Sequence, residues 1–184
     1  MMSESSGHSE GMPQVAVVGA GYWGKNLVRN FHGLNALGAV CDSDPERLES
    51  FKQQFPSAKM FNAYSDVLRD PLIRAVAIAT PAEAHADAVR EALLAGKDVF
   101  VEKPLCLSVE EGQGLVALAK KRDRILMVGH LLWYHPAVLK LKELIAAGEL
   151  GKIQYIYSNR LNLGKIRREE NILWSFAPHD ISVI

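Results

Sequence analysis

The run Gly19, Ala20, Gly21, Tyr22, Trp23, Gly24 has the spacing G-x-G-x-x-G and stands between an apolar, β-branched stretch at residues 15–18 and a stretch with helical spacing at Trp23, Leu27 and Phe31. In such a run the first glycine makes the tight turn and the second lets the backbone approach a pyrophosphate. The third lets the helix pack closely on the strand, with its N-terminus facing the anion. Tyr22 and Trp23 lie inside the run and are candidate cofactor contacts, although Trp23, as the first member of the helical stripe, also reads as core packing. Asp42 closes the next apolar stretch, at the separation of about 20 residues where a carboxylate accepts hydrogen bonds from an adenosine ribose. A free 2'-hydroxyl suits that carboxylate and a 2'-phosphate does not, so NAD is favoured over NADP. The segment from Gly19 to Lys25 also fits the phosphate-loop pattern G-x-x-x-x-G-K, but Asn26 stands where a Ser or Thr hydroxyl should reach magnesium. The nucleoside-triphosphate reading therefore ranks behind.

Glu102, Lys103 and Pro104 directly follow the apolar stretch 98–101. A lysine at the carboxyl end of a parallel strand, partly removed from water and near a positively charged nicotinamide, has its pKa lowered and can exchange a proton with a substrate hydroxyl. As a bare triplet these residues would read as a loop salt bridge. Their position in the zone where parallel sheets bind ligands decides for chemistry. His85, on the helix that follows Thr80 and Pro81, is expected to order that turn and is grouped with the cofactor site. His130 and His135 have no nearby cysteine or clustered carboxylates, so no metal site is expected.

These residues need a scaffold, and the sequence supplies one. Apolar stretches at 15–18, 39–41, 75–79, 98–101 and 125–128 alternate with helical patterns. Asp44 and Pro45 form an N-cap with proline at the first helical position, and Ser108 precedes Glu111 with capping-box spacing. Repeated strand and helix alternation implies an α/β fold, a doubly wound parallel sheet covered by helices, over residues 14–130. After Gly129 the pattern changes. Pro136 opens a helix containing Val138, Leu141, Leu144 and Ile145, and residues 153–158 alternate as a half-buried strand would, the expected first strand of a second, open mixed sheet. Residues 131–184 read as the start of a second α/β domain that is cut off inside an element at 181–184. Residues 1–13, rich in Ser, Gly and Glu, read as a flexible, disordered leader.

Composition excludes several alternatives. The 184 residues carry 21 Lys+Arg against 21 Asp+Glu, with 48% hydrophobic and 23% charged residues. This balance argues against general nucleic-acid or membrane-surface binding. No stretch approaches the ~20 apolar residues of a membrane span. The 2 cysteines, Cys41 and Cys106, are far apart and suit a reducing cytoplasm, so a cytoplasmic protein is expected.

With these motifs in place the chain resembles the Gfo/Idh/MocA family of glucose-fructose oxidoreductases, inositol dehydrogenases and rhizopine-catabolism proteins. The resembling residues are the glycine run 19–24, Ala79, Thr80 and Pro81 with His85 after them, residues 95–99 leading into Glu102, Lys103 and Pro104, and the later run 148–153. The resemblance implies a Rossmann domain followed by an α/β domain with a large open sheet, and NAD(P)-dependent oxidation or reduction of a sugar or cyclitol. It implies that Lys103 is the catalytic lysine and that Thr80, Pro81 and Glu102 lie against the nicotinamide ribose. It further implies a histidine in a D-x-x-x-H arrangement; His179 matches the histidine, while Ser175 replaces the aspartate and Asp180 follows instead. Many members carry arginine just before the proline at 136, where this chain has Leu132, Trp133, Tyr134 and His135. The family's oligomer surfaces lie in the large sheet, so the full-length form is expected to be a homo-oligomer.

Residues 158–171 with 176–180 look like the branch that oxidises nucleotide-activated amino sugars, similar to UDP-N-acetylglucosamine 3-dehydrogenases. Arg160, Lys165, Arg167 and Arg168 can neutralise a diphosphate, since guanidinium forks suit phosphate oxygens, and Asn162 joins them with Lys103 and His179 as substrate contacts. Without the resemblance, a solvated charged loop balanced by Glu169 and Glu170 is the plainer reading. The expected ligands are NAD and a small nucleotide sugar oxidised at C3. Two rivals stand beside this: a dinucleotide-binding regulatory protein without catalysis, against which Lys103 and His179 count, and an incomplete enzyme whose substrate pocket lacks most of its second sheet.

Overall fold

The computed structural model describes residues 14–159 and 171–184. Residues 1–13 and the expected substrate contacts Arg160, Asn162, Lys165, Arg167 and Arg168 lie outside them.

The alternation read from the sequence is present as β1 (Gln14–Val18), α1 (Gly24–Gly33), β2 (Leu37–Cys41), α2 (Pro45–Gln54), β3 (Lys59–Phe61), α3 (Tyr64–Arg69), β4 (Ile73–Ile78), α4 (His85–Leu94), β5 (Asp98–Val101), α5 (Val109–Arg122) and β6 (Leu126–Val128). The strands form one parallel 6-stranded sheet in the order β3-β2-β1-β4-β5-β6. The chain order reverses at β1 and β4, which creates the crevice where such sheets bind ligands. The short β3 and α3 carry too little periodicity to be read from the sequence; they exist because β3 pairs with β2 and Val67 of α3 is fully buried.

Both faces of the sheet are covered, which is why its central strands are apolar without alternation. Ala16, Val18, Ala39, Cys41, Val76, Ile78, Val99 and Val101 face Val67, Val89, Leu93 and Leu115 of α3, α4 and α5. Val15, Val17, Val40 and Ala77 face Leu27 and Val28 of α1 with Leu48 and Phe51 of α2. At the amino end of β4, the Lys97 ammonium donates to the carbonyls of Asp70 (2.8 Å) and Ile73 (2.7 Å), tying the α3–β4 connection to the start of β5. Asp44 caps α2 by accepting from the N–H groups of Glu46 and Arg47, and Ser108 caps α5 by accepting from Glu111.

Beyond β6 the structure corrects one expectation and adds one element. Helix α6 (Pro136–Ala146) forms where Pro136 predicts it, with no buried residue. Residues 153–158 are not a strand, and Tyr155 (84% exposed) and Tyr157 (77%) stand in solvent. Alternation alone cannot make a strand; it needs a neighbour to take its N–H and C=O groups, and the described residues place none beside it. Helix α7 (Ile172–Ile181) is capped by Asn171, whose side chain accepts from the N–H of Trp174 at 3.1 Å.

Candidate dinucleotide and proton-transfer site

The glycine loop leaves β1 at the carboxyl edge of the sheet. Gly19 has a φ of +84°, and a Cβ there would lie 2.9 Å from the backbone of Ala79 and Thr80, so both conformation and space demand glycine. At Gly24 a Cβ would sit 1.8 Å from the carbonyl oxygen of Gly19, which is the close helix-on-strand contact. Gly21 differs: a Cβ would meet nothing within 4 Å. The glycine there keeps a space open rather than accommodating a protein neighbour. Helix α1 begins behind it with no side-chain cap and no acid in its first turn, unlike the capped α2 and α5. An open glycine, an uncapped helix start and no nearby negative charge on the helix together fit a pyrophosphate.

Asp42, at the end of β2, is buried, and its carboxylate is already committed inside the chain. One oxygen accepts from the N–H of Ala20 (2.7 Å), and the other from the N–H of Asp44 (3.0 Å) and the guanidinium of Arg47 (2.7 Å). Burial pushes this carboxyl up, but the Arg47 bond and the two backbone donors outweigh it and hold it below the ordinary carboxylate range. With about four lone-pair sites on a carboxylate, three in use leave room for one more donor. The residue read as a ribose acceptor is therefore first a pin that fixes the glycine loop.

After β4 and β5 come Thr80, Pro81 and the triplet Glu102, Lys103, Pro104, with a cis bond between Lys103 and Pro104. His85 joins these two loops. It is 2% exposed, its Nδ1 lies 2.6 Å from the carbonyl oxygen of Pro104, and its Nε2 lies 2.9 Å from that of Thr80. With both ring nitrogens turned to backbone carbonyls, His85 supports the site from beneath, as its ordering role on the turn predicts.

The core reading of Trp23 is corrected. Instead of entering the core with Leu27, it is 41% exposed, and its indole N–H donates to Oε1 of Glu102 at 2.6 Å. The backbone of Lys103, next in the chain, favours the ionised form of the same carboxylate. Burial pushes the Glu102 carboxyl above its ordinary range, and these contacts with the nearby Lys103 and His85 only partly offset it. Tyr22 is exposed, with the Lys25 ammonium 5.3 Å from its ring centre.

Two features here escape sequence reasoning. Gly129, after β6, gives Glu102 its space, since a Cβ would lie 3.2 Å from Oε1; glycine at a strand's carboxyl end was the only available signal. Among the described residues, Thr80 Oγ1 and His130 Nδ1 are buried side-chain polar atoms without a protein partner. They follow β4 and β6, flanking the β5 loop that carries Lys103. Burial also pushes the His130 imidazole below its ordinary pKa. Orphaned acceptors and donors at this edge fit a polyhydroxylated ligand better than an apolar one.

His179 lies in the last turn of α7, in the part of the chain beyond β6. Beside it, the carboxylate of Asp180 accepts from the Ser158 hydroxyl at 2.9 Å. The described residues contain no cluster of three or more His, Cys, Asp or Glu able to hold a metal, and no helix long and apolar enough to cross a membrane.

Comparison with known proteins adds the following. The model of the GFO_IDH_MocA oxidoreductase family, NAD-binding Rossmann fold, matches residues 14–130. Scyllo-inositol 2-dehydrogenase (NAD(+)) of Bacillus subtilis is 38% identical over 146 residues, which cover 76% of this chain and 42% of that protein. A 1-carboxy-3-chloro-3,4-dihydroxycyclohexa-1,5-diene dehydrogenase of Comamonas testosteroni is 32% identical over 158 residues, 80% of this chain and 40% of its own length. Among solved structures, GenD2 from gentamicin A biosynthesis in complex with NAD aligns with a TM-score of 0.72 at 30% identity, covering 81% of this chain and 43% of that one. The chain thus spans less than half the length of these relatives.

Proposed function

The chain belongs to the Gfo/Idh/MocA oxidoreductase family, whose NAD-binding Rossmann fold covers residues 14–130, and on that footing we propose that it is the cofactor-binding part of an NAD-dependent dehydrogenase acting on a ring hydroxyl of a sugar or cyclitol. The observation that carries this reading is that the open cradle at Gly21 and the half-buried Lys103 share the carboxyl edge of one sheet. When bound, NAD supplies the hydride acceptor. The chain's own residues do the rest. The start of α1 and the glycine loop hold the pyrophosphate, with Tyr22 beside them, and the remaining acceptor site of Asp42 takes a ribose hydroxyl. Thr80, Pro81 and Glu102 line the nicotinamide ribose. Lys103 Nζ takes the proton of the substrate hydroxyl as the carbon is oxidised, with His179 as its partner in the relay. In the whole protein, the chain from residue 131 onward contributes to a second domain that closes the substrate pocket and carries a homo-oligomer interface.

For the substrate, we favour a UDP-N-acetyl amino sugar oxidised at C3, supported by the basic residues Arg160, Lys165, Arg167 and Arg168, which suit a diphosphate, with Asn162 as a further contact. A cyclitol is the second reading, favoured by the 38% identity to a scyllo-inositol dehydrogenase. The test supplies the longest form of the protein with NAD and a panel of UDP-amino sugars, their uronic acids and inositols, and follows NADH absorbance. Turnover on the nucleotide sugars alone supports the first substrate, and turnover on inositols alone replaces it with the second. Lys103→Ala should lower turnover at least ~100-fold while NAD still binds, the usual scale for a general base; unchanged turnover removes the lysine from this role.

A further inference from the structure

Trp23 is an unexpected residue at its position. As N-cap of α1 it has αR backbone and offers no side-chain cap, and at 41% exposure its ring contributes little to the core. Packing alone does not explain why an indole should stand there. Its N–H, a donor and nothing else, is spent on a carboxylate 79 residues away. The sheet order explains what that bond spans. β1, which feeds Trp23, and β5, which feeds Glu102, are not neighbours, because β4 lies between them. At about 4.8 Å per strand spacing the bridge crosses ~10 Å of the carboxyl edge, over the end of the strand that leads to Thr80.

We propose that Trp23 is a positioning residue for Lys103, acting through Glu102. The indole N–H holds the carboxylate of the residue directly before Lys103 at 2.6 Å, so the direction in which the lysine leaves β5 is set from the glycine loop. Gly129 completes the device by leaving the space that the carboxylate fills. A bond from N–H to carboxylate is charge-assisted and directional, which a phenyl ring of similar size cannot reproduce. The charged and titratable groups facing Glu102 are Lys103 on its own loop and His85 on α4. Trp23 joins them from α1 as a neutral donor. The proposal rests on the reading of Lys103 as the proton acceptor; the bridge itself can be tested without it.

The experiment uses the chain as it exists, with Trp23→Phe, Trp23→His, Glu102→Gln and the Trp23→Phe, Glu102→Gln double variant, each checked for native circular dichroism. Acetylation of the Lys103 amine by dilute acetic anhydride is followed by mass spectrometry from pH 5 to 9, with the exposed Lys52 of α2 as internal reference, and NAD affinity is measured by calorimetry. Trp23→Phe should change the relative Lys103 labelling rate at least ~3-fold and weaken NAD ~5-fold or more, effects of the size expected for coupled neighbours. Trp23→His, which restores a ring N–H, should recover part of both. In the Glu102→Gln background, Trp23→Phe should add less than it does alone. Unchanged Lys103 labelling in a folded Trp23→Phe chain, or full additivity in the double variant, overturns the proposal. Should Lys103→Ala leave turnover intact while the coupling persists, the chemical role of the lysine fails and the positioning relation stands.

Discussion

The carboxylate of Asp42 accepts the backbone N–H of Ala20 at 2.7 Å, so the end of β2 holds the glycine loop in shape. Because Arg47 and the backbone donors keep this carboxyl below its ordinary range against the opposing push of burial, the ionised form stabilises the fold. That stability is present above the unfolded-state pKa and is lost as pH falls through the folded-state value. Asp42→Asn should therefore cost about 1–3 kcal/mol at pH 7, and urea titrations at falling pH should show the gap to the parent closing below about pH 4. A gap independent of pH would mean that the ionised carboxylate is not what holds the loop.

Gly21 and Gly24 separate binding from folding. Gly24→Ala places a methyl 1.8 Å from the carbonyl oxygen of Gly19 and should lower the melting temperature by several degrees at least. Gly21→Ala meets no protein atom within 4 Å, so the fold should survive, while NAD affinity by calorimetry should drop roughly 10-fold or more as the methyl fills the cradle. Equal NAD affinity in parent and Gly21→Ala would place the pyrophosphate elsewhere.

Lys97 has a structural role at the edge opposite the site. Its ammonium is buried and satisfies the carbonyls of Asp70 and Ile73. Lys97→Met keeps the stem's length and removes the donors, leaving those carbonyls to find water or remain unpaired. Chemical denaturation should register a loss of about 1–3 kcal/mol, with NAD affinity per folded molecule unchanged.

Cys41, the last residue of β2, points into the core, and burial, reinforced by Asp42 and Asp66, pushes its thiol up to about 11. Thiolate is the reactive form, so native protein at pH 8 should leave Cys41 unmodified by a disulfide reagent over the time in which urea-unfolded protein reacts fully. Fast native labelling of Cys41 would show that β2 opens readily.

The parts of the site that were legible in the sequence are those governed by local rules. A glycine run after a β-branched stretch has few other uses, and a carboxylate or lysine at a strand end in a parallel sheet is brought to one edge by topology. Trp23 shows where local rules stop. Helical spacing with Leu27 and Phe31 puts it on the core stripe, but as the cap residue it has left the helix, and a long-range acceptor draws the indole outward. Residues 153–158 fail differently. Their alternation is correct for a strand, yet pairing is a property of two segments, and the partner is not among the described residues.

By itself the sequence determined the α/β alternation, the class of cofactor and the candidates Asp42 and Lys103, because periodicity, turn chemistry and strand-end position are written within a few residues of each motif; Thr80 and Glu102 entered through the family resemblance. Only the tertiary structure decided that Asp42 pins Ala20, that His85 supports two loops from below, and that Trp23 holds the carboxylate beside Lys103. Those relations join residues far apart in the chain, and it is the strand order β2-β1-β4-β5-β6 that brings their loops to a common edge.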